Sequence, residues 1–449
     1  MSHPASARVT AGTASEPEAF DVGIHERLSL MQLLLLGVQN VFGMIGMFIF
    51  PALFGHAFGL PVGAIAYLYG VTFIVSGVVT ALQATVLRLP IVHGPYVGSF
   101  AALLAIGHLP DGGLDLAYGS LFVASAIWAL LAVPVRGRSV CGYFARFMEA
   151  PIITGTMVIL AMIQVANTSL PNWLGNAGGK GFAGVNLLSG FVCILALIAM
   201  TIWGGPRGRR GAILVGLVCG TLCYALFVPI SFAAVLDAPW VVEPRFFPFG
   251  FRVRADLVAV FLMVLVPANI GSMALYKVVG RWGHDDPSPG RMSAGLLSVA
   301  LGGILAAIIG GFSTQVYPDN IGMLRSTRVG SRYAVLAAGA ILILLGACVK
   351  FDMLLVAVPA PVMSAAATLL FGIVLVHGIA ILGQVVWDDR NLVIVGFALM
   401  VALGALFVPP ETLHALPLVV QLMLRQSVVI GGVPLIILHL LLGQAEARK

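Results

Sequence analysis

Charge is what this chain has little of. Only 9% of its 449 residues are Asp, Glu, Lys or Arg, whereas a soluble domain carries about 25%. With 60% hydrophobic residues and a mean hydropathy of +1.04, a soluble chain of this length could not hide its apolar surface. A lipid bilayer as solvent removes that conflict. Also missing is any short apolar core with a small-residue cleavage site ahead of the first long apolar stretch, so no cleaved signal peptide is expected. There is no His-Glu-x-x-His, no paired Asp-rich motif and no Gly-rich phosphate loop. Those absences argue against an intramembrane enzyme or a nucleotide-driven pump, and no cofactor or metal is expected.

Cysteine is sparse as well. Of the five, Cys219 and Cys223 stand one helical turn apart, but no His or Cys pair elsewhere completes a metal site. Cys141, Cys193 and Cys348 are scattered, and all five are read as small, buried, unpaired thiols. The net charge of +6 is no argument for nucleic acid, because its placement follows membrane topology.

What the chain does have is long apolar runs. A spanning helix needs about 20 apolar residues, and fourteen stretches qualify: 30–50, 61–82, 91–107, 116–135, 147–168, 186–203, 211–236, 256–276, 293–312, 316–330, 333–349, 354–382, 391–408 and 416–442. The third and tenth are short and interrupted by Gly and Pro, so the count needs an independent check. Lys and Arg concentrate on the cytoplasmic side of membrane proteins. With the N-terminus inside and fourteen spans, eighteen of the 24 basic residues fall inside and five (Lys180, Arg245, Arg252, Arg254, Lys350) outside, with Arg425 inside the last span. Dropping the tenth span would move Arg390, Arg448 and Lys449 outside. Trp173, Trp240, Trp282 and Trp387 lie in or beside loops, as interface residues do.

The expected fold is therefore an all-α polytopic membrane protein. A disordered cytoplasmic tail (1–27) precedes a first seven-span repeat (28–236). An external linker (237–255) leads to a second seven-span repeat (256–442) and a short cytoplasmic tail (443–449). An odd number of spans per half makes the repeats inverted. The third element of each half opens with a broken run: Leu89-Pro90-Ile91-Val92-His93-Gly94-Pro95-Tyr96-Val97-Gly98 in the first, Gln315-Val316-Tyr317-Pro318-Asp319-Asn320-Ile321-Gly322 in the second. Broken backbone at membrane depth survives only against protein or a cavity, and a matched pair of such breaks points to a transporter's binding site.

The run Asp319-Asn320-Ile321-Gly322-Met323-Leu324-Arg325-Ser326-Thr327-Arg328 closely resembles the signature of the nucleobase–ascorbate transporter family, a polar residue, Asn-x-Gly, four residues and Thr-Arg. Gly37-Val38-Gln39-Asn40, Pro151-Ile152-Ile153-Thr154-Gly155-Thr156 and Val358-Pro359-Ala360-Pro361-Val362-Met363 are similar to that family's first, fifth and twelfth spans. The resemblance covers about residues 28–442. It implies a core domain of spans 1–4 and 8–11, a gate domain of spans 5–7 and 12–14, and short extended segments in spans 3 and 10 that cross near the midplane. Implied too are uracil, xanthine, uric acid or a related heterocycle as cargo, proton symport across the bacterial inner membrane, and often a homodimer. Two departures stand out. Ala268 occupies the position of the family's span-eight glutamate, and Asn40 that of its span-one histidine.

An ionisable group inside a membrane protein is a functional candidate by default. Asp319 is expected to accept N–H bonds from a base and take up the coupled proton, or else to cap a helix. Asn320 and Gln39 offer amides with donors and acceptors suited to a base edge, and Asn269 stands one position from the lost glutamate. His93 is an alternative proton carrier or a structural histidine. Tyr96, Val97, Tyr317 and Phe371 are candidate walls for an apolar slot. Gly322 reads as a packing residue. Thr327 and Arg328 mark the cytoplasmic end of span ten, Arg328 as a gating residue or a positive-inside anchor. The other reading of the chain keeps the fold and changes the cargo to an anion.

Overall fold

Proline and glycine decide where this chain stops being helical. The computed structural model describes residues 20–443 apart from 43, 110, 135–138, 140–149, 175–183, 318–319, 321–323, 325–326, 415, 417 and 425–426. Helix α1 (Leu30–Phe42) is followed by a 3₁₀ turn (Ile45–Phe48) and by α2 (Phe50–Ala57), with Pro51 in its first turn. Pro61, in extended backbone, then opens α3 (Val62–Leu82). That helix passes into a π-turn (Gln83–Leu87) and stops at Arg88, which takes the left-handed conformation (φ 61°). Pro90 and Pro95 have no N–H to continue a helix, and the chain runs extended as β1 (His93–Pro95) before α4 (Val97–Gly107) and α5 (Leu114–Ala132). Next come α6 (Pro151–Trp173), α7 (Gly184–Ile202) and α8 (Gly205–Ala225).

The later part repeats the device. After α9 (Ala255–Trp282) and α10 (Pro289–Ile309), Gly310 at φ 79° ends the helix and β2 (Thr314–Val316) follows. Then come α11 (Arg332–Ala347), α12 (Val349–Val356), α13 (Ala360–Leu382), α14 (Asp389–Ala405), α15 (Leu418–Leu424) and α16 (Ser427–Gly443). The strands pair antiparallel, with His93 opposite Val316, Gly94 opposite Gln315 and Pro95 opposite Thr314. The two predicted breaks thus meet as one small sheet in an otherwise helical molecule.

Six helices among the described residues are long and apolar enough to cross a membrane, α3 with its π-turn, α5, α7, α9, α10 and α13. The closest packing falls into two groups. In one, α3 lies on α10 and α11, α5 on α9 and α10, and α1 on α11. There α3 and α11 cross backbone to backbone: a Cβ on Gly77 would sit 2.6 Å from the Gly339 carbonyl oxygen. In the other, α6 lies on α13 and α16, α7 on α8 and α13, and α14 on α16.

Two expectations change. The tail expected over 1–27 is ordered where it is described. Asp21 N donates to the Arg328 carbonyl (2.8 Å), Gly330 N to Val22 (2.9 Å) and Arg332 N to Ile24 (3.0 Å). Ile24 is buried, and His25 reaches Asp285 at 3.2 Å. Backbone pairing and one apolar anchor order a stretch whose composition is polar. The cysteines Cys193, Cys219, Cys223 and Cys348 are free, but only Cys193 is buried, because the others lie on half-covered helix faces or at an element end. Cys141 lies outside the described residues. The linker 237–255 folds over the ends of its neighbours: Val242 N donates to Ala347 (3.0 Å), Phe247 N to Ile308 (2.6 Å) and Arg252 Nη2 to Asp115 (3.0 Å).

Candidate functional site

The sheet forms one wall of a cavity of about 140 Å³, and α6, α9 and α13 supply the others. A cavity of roughly 150 Å³ is enough to take up a benzene ring. Each helix contributes one face. From α6 come Thr154, Met157, Val158, Ala161 and Met162, and from α13 Leu370, Phe371, Val374, His377 and Ile381, both at helical spacing. From α9 come Pro267, Ile270, Gly271 and Leu275. Pro267 interrupts the helix there, leaving the Met263 carbonyl without an N–H from four residues on.

The sheet brings Pro95, Tyr96 and Val97 from one break against Gln315, Val316 and Tyr317 from the other. Their backbones are tied: Tyr96 N donates to Ser313 (2.7 Å) and Tyr317 N to Val92 (3.0 Å). Gly94 is required at this crossing, since a Cβ there would collide with the Tyr317 ring. Tyr96 Oη donates to the Val264 carbonyl at 3.0 Å, which fixes the ring while its phenol is spent on α9. Tyr96 also precedes α4, so the unpaired N–H groups of that helix's first turn begin at the cavity wall.

Beyond the cavity, aromatic rings close one end. Phe371 meets Phe50 (centroids 5.9 Å apart), and Phe50 stacks on Phe100 at 4.7 Å. Phe100 and Phe54 both pack on Phe312. Elsewhere on the wall His377 is exposed. The walls are largely apolar, with polar groups at Gln315, Thr154 and His377. Thr154 Oγ1 is buried and has no hydrogen-bond partner among the described residues. None of the described lining residues is Asp, Glu, Lys or Arg.

Of the expected site residues, Tyr96, Val97, Tyr317 and Phe371 line this cavity. Asp319 and Gly322 lie outside the described residues. Asn320 is buried behind the sheet, its Nδ2 donating to Asn40 Oδ1 at 2.6 Å and its Oδ1 accepting from Val92 N at 3.4 Å. It braces the break rather than facing the cavity. Gln39, Asn40 and Thr327 line a separate pocket of about 10 Å³, which has room for about one water. Asn269 does not line the cavity: its Nδ2 bonds the Leu265 carbonyl one turn back on its own helix (2.9 Å). His93 is fully buried in β1, off the cavity, and neither ring nitrogen has a partner among the described residues. Arg328 carries its backbone at φ 54° and lies 3.9 Å from Asp21. Gln315, Thr154 and His377 were not expected. Gln315 stands two positions before the candidate Tyr317, and along an extended run such residues share a face, which was the signal available.

Two broken elements paired against a cavity inside a helical membrane protein are the arrangement of a transporter. The chain belongs to the permease family: a family model with that description, for xanthine and uracil permeases, matches residues 31–411. It is a multi-pass membrane permease and not an enzyme. The uric acid permease PucK of Bacillus subtilis is 28% identical to it, over 92% of this chain and 96% of that protein. A putative purine permease of Clostridium perfringens is 25% identical, over 94% and 93%. Among solved structures, the transmembrane domain of the cyanobacterial bicarbonate transporter BicA superposes with a TM-score of 0.54 (16% identity, 92% of this chain, 98% of that one). SLC26A9 does so with 0.60 (10% identity, 92% and 66%). These two likenesses are of fold.

Proposed function

We propose that the protein is a secondary transporter that carries a nucleobase such as xanthine, uric acid or uracil across the bacterial inner membrane with a proton. The observation that carries this reading is the cavity. It is ring-sized, walled by Tyr96, Tyr317, Phe371 and Phe50, and served by a few polar groups, with Gln315 foremost. A planar heterocycle stacks between such walls, and the Gln315 amide can donate to and accept from its edge. Relatives named for uric acid and purines support the same class of cargo. No Lys or Arg lines the described walls, which weighs against the anion alternative.

In this proposal the chain spans the membrane fourteen times as two inverted repeats, with both ends cytoplasmic and two copies assembling as a dimer. The packing group of α1–α5 and α9–α11 is the core domain, and that of α6–α8, α13, α14 and α16 is the gate. The cavity lies between them, closed outward by Phe50 and Phe371 and open inward past His377, so the arrangement is inward-facing. Asp319, which immediately precedes the brace Asn320, takes the coupled proton and bonds the base. With Ala268 in place of a glutamate and buried in α9, that duty is not shared from span eight.

The test is uptake of labelled xanthine, uric acid and uracil in cells lacking their own permeases, with and without a protonophore, against unlabelled competitors. Saturable uptake that collapses with the gradient and is abolished by Asp319→Ala is expected. Anion flux without uptake of any base would overturn the reading.

A further inference from the structure

Helix α12 is one of the covalent links between the two packing groups, the others being the connections from α5 to α6 and from α8 to α9. It leaves α11, which lies on α1 and α3, and leads into α13, which lies on α6 and α7. It also packs against α3 directly. On that side it carries Asp352, fully buried and the one buried carboxyl among the described residues. Neither carboxyl oxygen has a hydrogen-bond partner there. The niche is fitted to it: a Cβ on Gly70 of α3 would lie 2.8 Å from Asp352 Oδ2 and 2.7 Å from the Gly346 carbonyl oxygen. The carboxyl therefore takes space that a side chain at residue 70 would need.

No charge nearby compensates it. From α3 the facing titratable group is Tyr69, whose hydroxyl donates to the Phe48 carbonyl at 2.7 Å. The helix Ala233–Asp237 brings only Asp237, at the surface, and α11 brings Cys348 just past its end. On α12 itself, Lys350 turns away to the Leu236 carbonyl (2.6 Å) and the face of Trp240. An isolated buried carboxylate is far costlier than the neutral acid. Asp352 falls in the connection between the eleventh and twelfth spans, and burial pushes its carboxyl up to about 9.

We propose that Asp352 is a proton-operated latch at the joint between the two groups: seated against Gly70 it is neutral, and lifting α12 from α3 hydrates and ionises it. The inference rests on the proposal above that the protein is a secondary transporter whose core and gate groups move against each other. Lifting breaks the O–H bond of Asp352 and passes the proton to water on the outer side; reseating takes one back. No proton crosses the membrane at this residue, so the latch sets the pH response of the cycle without driving accumulation. The seated carboxyl holds its proton more tightly than the hydrated one, so acid favours the arrangement seen here. Between the ordinary carboxylate range and about 9, each unit of rising pH shifts the balance toward the lifted form by up to about tenfold.

Cys348 is the reporter. It is half-buried, and its carbonyl accepts from Asp352 N at 3.2 Å. In full-length protein in liposomes, with Cys348 as the sole cysteine, alkylation by a membrane-impermeant charged maleimide is timed as pH rises from about 6 to about 8. Each rate is divided by that of a free cysteine peptide, which removes the thiol's own titration. The ratio is expected to rise several-fold in the parent, and to stay flat and low with Asp352→Asn, which is neutral at every pH. Gly70→Ala, which forces α12 off α3, should raise it at all pH values. A flat parent ratio, or an Asn variant that rises with the parent, overturns the latch; if the Asn variant does not fold, the parent curve alone decides. The readout needs no cargo, so failure of base uptake would sink the transport reading and leave this result standing.

Discussion

The two packing groups are both strongly apolar but differ in their surroundings. In α3 with its π-turn and in α10, 67% of the apolar window is buried inside the protein, and in α9 65%. In α13 the share is 39% and in α7 only 22%. Mean hydropathy runs the other way, 1.9 to 2.2 for the buried three and 2.4 for the exposed two. In water such a difference in burial would be written in the residues. In lipid it is not, because a leucine gains little by leaving acyl chains for protein. Backbones approach closely in both groups, Gly77 to Gly339 in the first and Gly155 to Gly378 in the second. What separates them is the outer face, which in the second group is broad and apolar, with Phe191, Leu195 and Val376 exposed.

The sharpest way to break that comparison is one substitution made in both groups. Gly77→Val puts side-chain atoms against the Gly339 carbonyl and the backbone nitrogen of Ile343, 2.6 and 3.0 Å from the first added carbon. Backbone cannot swing aside as a side chain can, so a loss of about 3 kcal/mol or more is expected. Thermal unfolding in detergent followed by gel filtration should show no stable peak. Gly372→Val in α13 meets nothing within 4 Å and should stay within about 0.5 kcal/mol of the parent. Equal losses in both would mean that the open face of α13 is packed rather than free, and that the groups do not differ in what they leave exposed.

Next in size is the brace behind the sheet. Asn320→Ala removes the 2.6 Å donor to Asn40 and the acceptor for Val92 N. Orphaning two buried polar groups costs about 1–3 kcal/mol each, with the long Val92 contact at the low end. A loss of about 2 kcal/mol in the same unfolding assay is expected. Since the brace holds β1 rather than cargo, affinity should fall less than stability. A variant that unfolds normally but loses all binding would move Asn320 into the cavity.

These two variants also mark what the sequence made legible. A lone proline does not end a helix here, as Pro267 within α9 shows; the breaks were readable because Pro and Gly cluster there, as at Pro90, Gly94, Pro95 and Gly98, and their matched position foretold that they belong together. That Asn320 turns away could not be read. An amide beside a signature motif serves a ligand or a backbone N–H equally well, and only the packing of α1 against α11 brings Asn40 within reach. Asn269 fails for a related reason, because an amide in an apolar helix can satisfy itself on the carbonyl one turn back. Polar residues recur along α6 (Thr154, Thr156, Gln164), so nothing in their order singles out Thr154, whereas His377 was legible as an ionisable residue inside the twelfth predicted span. Residues 20–27 read as solvated because their partners, Arg328 to Arg332, are some 300 positions away.

Within the cavity the comparison is between the two strands. Tyr96 spends its hydroxyl on Val264, which leaves Gln315 as the polar side chain that the sheet offers to cargo. Gln315→Ala should therefore raise the half-saturating concentration of a base by about tenfold, the loss of roughly 1.4 kcal/mol for one hydrogen bond. Tyr96→Phe should leave affinity within about twofold and lower stability by about 1 kcal/mol. Uptake kinetics and unfolding on both variants check this, and the reverse pattern would exchange the roles of the strands.

The smallest effect is expected at the connection between α9 and α10. Asp285, between α9 and α10, receives both Arg291 Nη1 (2.7 Å) and Nη2 (3.0 Å), and the same guanidinium donates to the Leu87 carbonyl that ends the π-turn. The Arg291 hydrogen bonds, outweighing partial burial and aided by His25, hold the Asp285 carboxyl below its ordinary range. A depressed carboxyl stabilises the fold above its unfolded titration point, and that contribution disappears as pH falls through the folded one. Solvent reaches this pair, so its worth is at most about 1 kcal/mol. Asp285→Asn should cost that much near neutral pH, and the parent and variant curves should converge in acid. Convergence on raising the pH instead would mean that Asp285 is held protonated, and that Arg291 serves only Leu87.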